Sequence, residues 1–363
     1  MKPETFVILF CILFTGAYIA YSQRDNFSKD QVSIVFSGDD YYEQIKYSGT
    51  IKISDDETTI TSISAGGRLK YTHDNEQVTI QSDKDGKISY SFNGSKPQYE
   101  LADKDKKFVA EAIHEMIAIG FDAKARMEKL YAAGGDSALL KAFDELKADH
   151  VKSMYLKRLL NDSTSNDKVL KVLQKTASFG ADYEKVTLLK NVNEKQLADT
   201  AIMHAYFSAI NSLGADYDKV SLLEKLNEKQ LADTNIMHAF FTSVAGLGAD
   251  YDKSNLLKRV IEQPSLSKAV FDNVLSTAST IGADYDKMGI YEKLVVKENI
   301  TTEQWTALIN AAARLGADYD KSNLLVRIAN KMPVNENTRS AYVQAAKTIS
   351  SESDYAKAVK PIL

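Results

Sequence analysis

The phrase Gly-Ala-Asp-Tyr-Asp-Lys occurs four times in this chain of 363 residues, and a fifth copy carries Glu in place of the second Asp. With degenerate copies at both ends, the first Asp of the phrase recurs at intervals of 33 to 36 residues. The positions are Asp149, Asp182, Asp216, Asp250, Asp284, Asp318 and Asp354. A fixed period in the thirties is typical of stacked helical repeats. We therefore predict an α-solenoid of about seven 34-residue helix pairs.

One repeat shows where the phrase belongs in a helix pair. Asn227 begins a helical pattern as N-cap, with Gln230 in the capping-box position, and the pattern continues to Leu247 as one long helix. We expect Gly248 to end this helix in a left-handed conformation. Asp250 is then expected to cap the following helix. The phrase is thus predicted to be a corner between helices and not a catalytic loop.

Apolar residues align in columns when the repeats are counted back from their closing Gly. One column holds Phe179, Leu213, Leu247, Ile281 and Leu315, and another holds Leu173, Phe207, Phe241, Leu275 and Ile309. These offsets lie on one helix face, which only a stacked neighbour can bury. HEAT- or armadillo-like pairing is favoured, because the Trp-Leu-Gly-Tyr and closing Pro positions of tetratricopeptide repeats do not recur.

A Lys follows each first Asp by three residues. The pairs are Asp149 and Lys152, Asp182 and Lys185, Asp216 and Lys219, Asp250 and Lys253, Asp284 and Lys287, Asp318 and Lys321, and Asp354 and Lys357. We interpret them as a structural ladder, in which the Lys stem covers the core rim and its ammonium meets an Asp. The alternative is a basic row that grips an anionic polymer, although the neighbouring acids neutralise that row.

The part of the chain before the repeats follows a different pattern. Between Gln31 and about Tyr99, short segments rich in β-branched and aromatic residues alternate at period two and are separated by turn sequences. We predict a small antiparallel β-module at residues 23–102, connecting helices at 103–133 and the solenoid at 134–363. The fold class is therefore α+β and multidomain.

The N-terminus has the pattern of an export signal. An apolar stretch from Phe6 to Ala20 would make about 22 Å of helix, which is shorter than a hydrocarbon core of about 30 Å. Small residues at Ala20 and Ser22 favour a signal peptide at residues 1–22, cleaved before Gln23. The alternative is an uncleaved anchor, the one route to membrane contact. The only cysteine, Cys11, lies in this stretch, so we expect a periplasmic or extracellular protein without disulfides.

Several function classes find no support in the sequence. A net charge of -4 and the lack of basic clusters argue against nucleic acid as a partner. The run from His114 has Ala118 where a zinc-protease helix needs its second His. His204 and His238 occupy equivalent positions in two near-copies, 193–226 and 227–260, and duplication explains them without a metal. We therefore predict no metal and no cofactor.

Three stretches carry a resemblance to known proteins: the run from Ser62 to Glu100, the segment from Ala125 to Leu160, and the Ala-Asp-Tyr-Glu-Lys…Leu-Leu units. Together they resemble bacterial envelope proteins in which a small β-module precedes helical repeats. They are also similar to the extracytoplasmic part of membrane metallopeptidases of the antibiotic-sensor class. The resemblance covers roughly residues 55 to 363 and implies export and a sensing or adaptor role. No peptidase motif is present, so no catalytic residue is carried over.

The sequence therefore predicts a non-enzymatic envelope protein that binds a protein or peptide partner. The candidate binding residues are His204, Tyr206, His238 and Phe240, on the long helices of the near-copies. Tyr206 and Phe240 also align with core positions, which favours packing for them. Two alternatives stay open: a sensor domain derived from a metallopeptidase system, and a hydrolase that uses His114 and Glu115 between the β-module and the first helices.

Overall fold

The computed structural model of the chain describes residues 31–37, 41–160, 164–263 and 266–362. The chain forms two compact units. Of the described residues, the first unit comprises those up to Thr164 together with Ser178–Leu188, and the second comprises Ser165–Ala177 together with those from Leu189 onward. The predicted signal peptide and Cys11 lie outside the described residues. Within the described ranges, no helix has the length and apolar character needed to cross a membrane.

The first unit begins with an antiparallel sheet, as predicted. Its strands are β1 (Gln31–Ser37), β2 (Tyr42–Ser48), β3 (Ile51–Ile53), β4 (Ile60–Ile63), β5 (Arg68–His73), β6 (Glu76–Ser82) and β7 (Ile88–Phe92). Five of them form one sheet in the order β1-β2-β5-β6-β7, while β3 and β4 form a separate hairpin. The β-module therefore consists of one open five-stranded sheet, with a two-stranded hairpin inserted in the chain between β2 and β5.

Gly49 lies in the turn that separates β2 from β3. Its φ of +81° is a conformation that residues with a Cβ rarely adopt. A Cβ at this position would also lie 2.2 Å from the Ser64 Oγ atom. The chain turns here because glycine alone fits both the backbone angle and the space.

The chain's helices follow the strands. They are α1 (Asp103–Ala118), α2 (Ala123–Phe143), α3 (Asp149–Leu159), α4 (Asn166–Thr176), α5 (Asp182–Leu189), α6 (Glu194–Leu197), α7 (Thr200–Asn211), α8 (Asp216–Leu223), α9 (Glu228–Leu231), α10 (Thr234–Ala245), α11 (Asp250–Ile261), α12 (Lys268–Ala278), α13 (Asp284–Val295), α14 (Thr302–Ala313), α15 (Asp318–Ala329), α16 (Glu336–Ala346) and α17 (Glu352–Val359). A 3-10 turn at Lys360–Ile362 follows the last of them.

One face of the sheet packs against helices of the first unit. Alternate residues of the central strands are fully buried, as period-two packing requires. They include Ile45, Leu69, Tyr71, Val78 and Ile80. Edge-to-face ring contacts join Tyr47 to Phe121 at 5.1 Å and Phe92 to Phe108 at 5.8 Å between centroids. A sheet this small is stable because helices cover one of its faces.

The second unit is a two-layered stack of helices, which confirms the predicted helical repeats. In one layer, α4, α7, α10, α12, α14 and α16 each contact the next. In the other layer, α8, α11, α13, α15 and α17 do the same. The predicted apolar columns of this unit lie between the layers and are buried, except that Leu275 is half-buried.

The long helix predicted from Asn227 to Leu247 is in fact two helices, α9 and α10. Asn227 and Gln230 do form the expected capping box at the start of α9. Asp233 then accepts hydrogen bonds from the N–H groups of Asn235 and Ile236 and so caps α10. The same break occurs in the preceding copy, where Asp199 caps α7. An Asp inside a helical pattern favours a new N-terminus, because its carboxylate competes for backbone donors.

Candidate binding surface

In five of the corners, the first Asp binds the next corner and does not cap its own helix. In the second unit, the Ala before this Asp occupies the N-cap position of α8, α11, α13 and α15. No side chain makes a capping hydrogen bond at these four positions. The Asp216 Oδ2 atom instead accepts hydrogen bonds from Gly248 N at 2.7 Å and Ala249 N at 3.0 Å. The prediction of Asp as an N-cap was therefore wrong.

The same pair of hydrogen bonds recurs along the chain. Asp149 binds the N–H groups of Gly180 and Ala181, Asp250 those of Gly282 and Ala283, Asp284 those of Gly316 and Ala317, and Asp318 those of Ser350 and Ser351. Each carboxylate thus satisfies two consecutive backbone N–H groups of the corner, that of the N-cap residue and that of the residue before it. One corner is tied to the next by charge-assisted hydrogen bonds.

The corner glycines do not adopt the left-handed conformation that the sequence predicts. Gly248, Gly282 and Gly316 are not among the residues with positive φ. A Cβ at Gly282 would lie 3.1 Å from the Oδ2 atom of Asp250, which is tighter than an ordinary van der Waals contact. Glycine serves here by letting a carboxylate approach the backbone. Ser350 replaces it in the last copy and still donates to Asp318 at 2.9 Å, so the requirement is mild.

In the corners from Asp149 to Asp318 the Lys contacts the Asp three residues before it, whereas Lys357 of the last copy donates to Asn323 Oδ1. The Nζ to Oδ1 distances run from 3.1 Å in the Lys321–Asp318 pair to 4.0 Å in the Lys253–Asp250 pair. The other corner pairs, Lys185–Asp182, Lys219–Asp216 and Lys287–Asp284, fall within this range. Lys321 also donates to the carbonyl oxygen of Thr348. These ammonium groups face the protein's own oxygens.

The pKa of Asp216 reflects this arrangement. Burial opposes ionisation, but the hydrogen bonds from Ala249 and Gly248 and the charge of Lys219 outweigh it, so the pKa lies below its usual value. The pKa of Asp284 is lowered in the same way, against burial, by Gly316, Ala317 and Lys287. Asp216 and Asp284 therefore act as anions in the folded state.

The Tyr that follows the first Asp in the five Gly-Ala-Asp-Tyr copies is exposed, although sequence analysis did not single it out. We name Tyr217, Tyr251, Tyr285 and Tyr319 the tyrosine row; their exposed fractions are 81%, 68%, 84% and 65%. Each is the second residue of a helix in the second layer, next to an Asp that binds the following corner. The four side chains therefore recur along one edge of the second unit. A repeated exposed aromatic residue is a candidate contact for a partner.

Charge around the row is weakly negative. The first Asp and the Lys of a corner offset each other, and the helix N-terminus adds about half a positive charge. The second Asp, at Asp252, Asp286 and Asp320, is half-buried and leaves each corner with about half a negative charge. The last corner shows what such a ring accepts: the Lys357 ammonium lies over the Tyr319 ring, 5.1 Å from its centroid.

The predicted binding residues of the near-copies have two different environments. His204 and His238 are exposed at equivalent positions of α7 and α10. Tyr206 and Phe240 are buried and make edge-to-face contacts with Phe207 and Phe241. Those two rings cannot contact a partner without leaving the core. Among the described residues, no group of three or more His, Cys, Asp or Glu side chains could hold a metal ion.

A cluster of charged groups lies between the sheet and the helices of the first unit. Glu43 on β2 is only 2% exposed, and its Oε1 atom lies 3.4 Å from Lys147 Nζ and 3.8 Å from His73 Nδ1. Lys147 also pairs with Glu115. Glu115 is thus engaged, and the His114 beside it is exposed. Because Glu43 is closed to a substrate, the cluster serves packing better than catalysis.

The environment of the Glu43 carboxylate disfavours its ionised form, because the side chain is buried and one of its oxygens has no hydrogen-bond donor within the described part of the chain. Its Oε2 atom accepts no hydrogen bond from any residue that the structure describes. Burial and the nearby Glu115 raise the pKa of Glu43 more strongly than Lys147 and His73 lower it. A raised pKa means that folding binds the proton more tightly. The contribution of Glu43 to stability is therefore full below its unfolded pKa and is lost as the pH rises through its folded pKa.

We expect Glu43→Gln to raise the free energy of unfolding by about 1 kcal/mol at pH 8 and to flatten its decline between pH 4 and pH 8. Gln keeps the shape of the side chain and cannot ionise. Urea titrations at several pH values measure the effect, with the exposed Glu76→Gln on β6 as control. A Glu43→Gln protein less stable than the parent at pH 8 would show that the Lys147 contact outweighs burial.

No protein-family model matches the sequence, and no curated protein matches it either.

Proposed function

We propose that the chain is a non-enzymatic binding protein of the bacterial envelope, which presents a helical-repeat surface to a protein or peptide partner. The observation that carries this proposal is the tyrosine row. Four copies of one exposed aromatic residue, each fixed beside a ladder Asp, give a surface that repeats with the fold. Extended repeat surfaces of this kind are used for binding.

Packing does not account for the row. A core Tyr such as Tyr206 is buried, whereas the row side chains expose about two thirds or more of their area. Their position at the start of a helix also adds nothing to capping, which needs a short oxygen-bearing side chain. Large rigid rings contribute contact area at a low cost in conformational entropy, which suits a binding surface.

Export is the second part of the proposal. It rests on the apolar stretch from Phe6 to Ala20 and on the resemblance to envelope proteins. The hydrolase alternative is weaker, because Glu115 pairs with Lys147 and His114 is exposed on another face of α1. The sensor alternative would use the same binding surface. It differs from the scaffold function only in its consequence, because binding of the partner would then act as a regulatory signal.

Site-specific photocrosslinking in the native envelope tests the proposal. A benzophenone amino acid replaces Tyr251 or Tyr285 in the full chain, and the same amino acid at His238 serves as the matched control on the other helix layer. We expect discrete crosslinked adducts from the two row positions. The large aromatic replacement is tolerated there because both side chains point to solvent.

Each result has a clear meaning. Adducts from Tyr251 or Tyr285 support a binding function centred on the row. Adducts from His238 alone would move the surface to the other layer and contradict the role of the row. No adduct at any position, together with a hydrolase activity that disappears in a His114→Ala/Glu115→Ala protein, would replace the binding function with the enzymatic one.

A further inference from the structure

The tyrosine row offers one kind of contact at regular intervals. Each ring is accompanied by an Asp one residue later, at Asp252, Asp286 and Asp320 for the last three rings. An aromatic face attracts a cation through the ring quadrupole, and a carboxylate on the same helical turn adds to this attraction through charge, although its side chain projects about 100° further round the helix. The Lys357 ammonium lies over the Tyr319 ring and donates to the Asn323 Oδ1 atom, so the ring part of this contact occurs within the chain itself.

The spacing of the row follows from the way the helices stack. Asp250 Oδ2 lies 2.9 Å from Gly282 N, so consecutive corners are in direct contact. Neighbouring packed helices lie about 8–10 Å apart, and the rings carried by α8, α11, α13 and α15 recur at about that interval. Three such intervals separate the four rings, which we therefore expect to span about 24–30 Å along the edge of the second unit.

A peptide that presents a cation to every ring must match this interval on one side. In a β-strand, residues three apart are about 10 Å apart but point to opposite faces. A polyproline II helix has three residues per turn and rises about 3.1 Å per residue, so every third side chain lies on one face at about 9.3 Å. That periodicity fits the row.

We propose, building on the binding function above, that the row takes a cationic peptide in polyproline II conformation, with Lys or Arg at every third residue. Each ammonium or guanidinium lies over one ring of the row and beside the following carboxylate. About 10 to 12 residues of peptide occupy the four rings, given a rise of about 3.1 Å per residue. The weak negative charge of the corners complements the ligand.

Fluorescence anisotropy with the purified full chain and a labelled peptide of four Lys-Pro-Pro triplets tests this. The matched peptide contains the same residues as two Lys-Lys-Pro-Pro-Pro-Pro blocks, so charge is kept and the spacing is lost. We expect the block peptide to bind at least about fivefold more weakly. A Glu-Pro-Pro peptide should not bind, and added salt should weaken the Lys-Pro-Pro complex.

Two sets of variants separate the ring from the charge. Tyr251→Leu/Tyr285→Leu keeps apolar area but removes the rings, and we expect the dissociation constant to rise about tenfold. Tyr251→Phe/Tyr285→Phe keeps the rings and should bind like the parent. Asp252→Asn/Asp286→Asn should weaken binding and reduce its dependence on salt. Circular dichroism melting verifies that each variant is folded.

Equal affinity for the triplet and block peptides would overturn the proposal, and so would unchanged binding by the Leu variant. Binding of a neutral polysaccharide that needs the rings but not Asp252 and Asp286, without peptide binding, would assign the row to sugar rings. If the peptide fails to bind while the photocrosslinks at Tyr251 persist, this inference fails and the binding function stands. If both are lost, the row has no binding role.

Discussion

Replacing Arg126 with Met is expected to lower the free energy of unfolding of the first unit by about 3 kcal/mol. Arg126 on α2 is only 9% exposed, and its guanidinium forms a two-pronged ion pair with Glu57, with Nε–Oε1 at 2.7 Å and Nη2–Oε2 at 3.1 Å. It also donates to Glu145 at 3.1 Å and to the buried Tyr155 hydroxyl at 3.4 Å.

The size of this effect comes from the groups left behind. Without Arg126, the Glu57 carboxylate and the Tyr155 hydroxyl lose partners in a place where water reaches them poorly. Breaking a buried ion pair costs about 3–5 kcal/mol, and we take the lower end because Glu145 is largely exposed. The free energy of unfolding of Arg126→Lys should fall between those of the parent and the Arg126→Met protein. The Lys ammonium keeps the charge but cannot reproduce the two parallel hydrogen bonds that the guanidinium donates to Glu57.

Lys129→Met is the matched control. Lys129 lies one turn later on α2 and pairs with Asp55 of the same hairpin at 2.6 Å, but both side chains are exposed. A surface ion pair contributes little, so the unfolding midpoint should hardly move. Hydrogen exchange of the β3–β4 hairpin and α2 monitors this unit, because the only Trp, Trp305, lies in the second one. Equal behaviour of the Arg126→Met and Lys129→Met proteins would remove Arg126 as a main stabilising contact.

The repeat period was sufficient to predict the helix pairs, because a sequence period maps directly onto stacked units. It was not sufficient for the role of the corner Asp. A local pattern makes Asp250 an N-cap, whereas its actual donors are the N–H groups of Gly282 and Ala283, 32 and 33 residues further along. That distance equals almost one repeat, so stacking itself could have suggested the partner.

The tyrosine row could also have been found from the sequence. Tyr251 lies five and six residues before Leu256 and Leu257, which puts it off their helix face, and a Tyr stands at this position in all five Gly-Ala-Asp-Tyr copies. An aromatic residue that recurs away from the apolar stripe is a signal for binding. By contrast, Tyr206 and Phe240 stand on the apolar stripe, which is why they are buried.

The first unit shows what a pattern cannot supply. Alternation in β2 places Glu43 on the same face as Ile45, so a buried carboxylate was readable from the sequence. Its partner Lys147 lies 104 residues away, and no spacing rule joins the two. The same holds for Arg126 and Glu57, which are 69 residues apart. Contacts between a sheet and helices depend on tertiary packing that local periodicity does not record.

Asp250→Ala is expected to destabilise the second unit by about 2–3 kcal/mol. The change removes two charge-assisted hydrogen bonds to Gly282 and Ala283 at 2.9 and 3.0 Å. It also leaves the ammonium of Lys253, which is 7% exposed, without its carboxylate. In a repeat array each unit is stabilised by its neighbours, so a weakened contact at this corner loosens the helices that follow it.

Urea titration followed by Trp305 fluorescence measures this change, since Trp305 is buried on α14, beyond the altered corner. Asp250→Asn should lose less stability, because the amide oxygen still accepts from both N–H groups while the pairing with Lys253 is gone. Asp252→Asn, two residues later on α11, is the control and should change the free energy of unfolding by at most about 0.5 kcal/mol. Faster hydrogen exchange at Gly282 and Ala283 in Asp250→Ala alone would trace the loss to the ladder. If Asp250→Ala and Asp252→Asn share one midpoint, the carboxylate ladder does not hold the corners together.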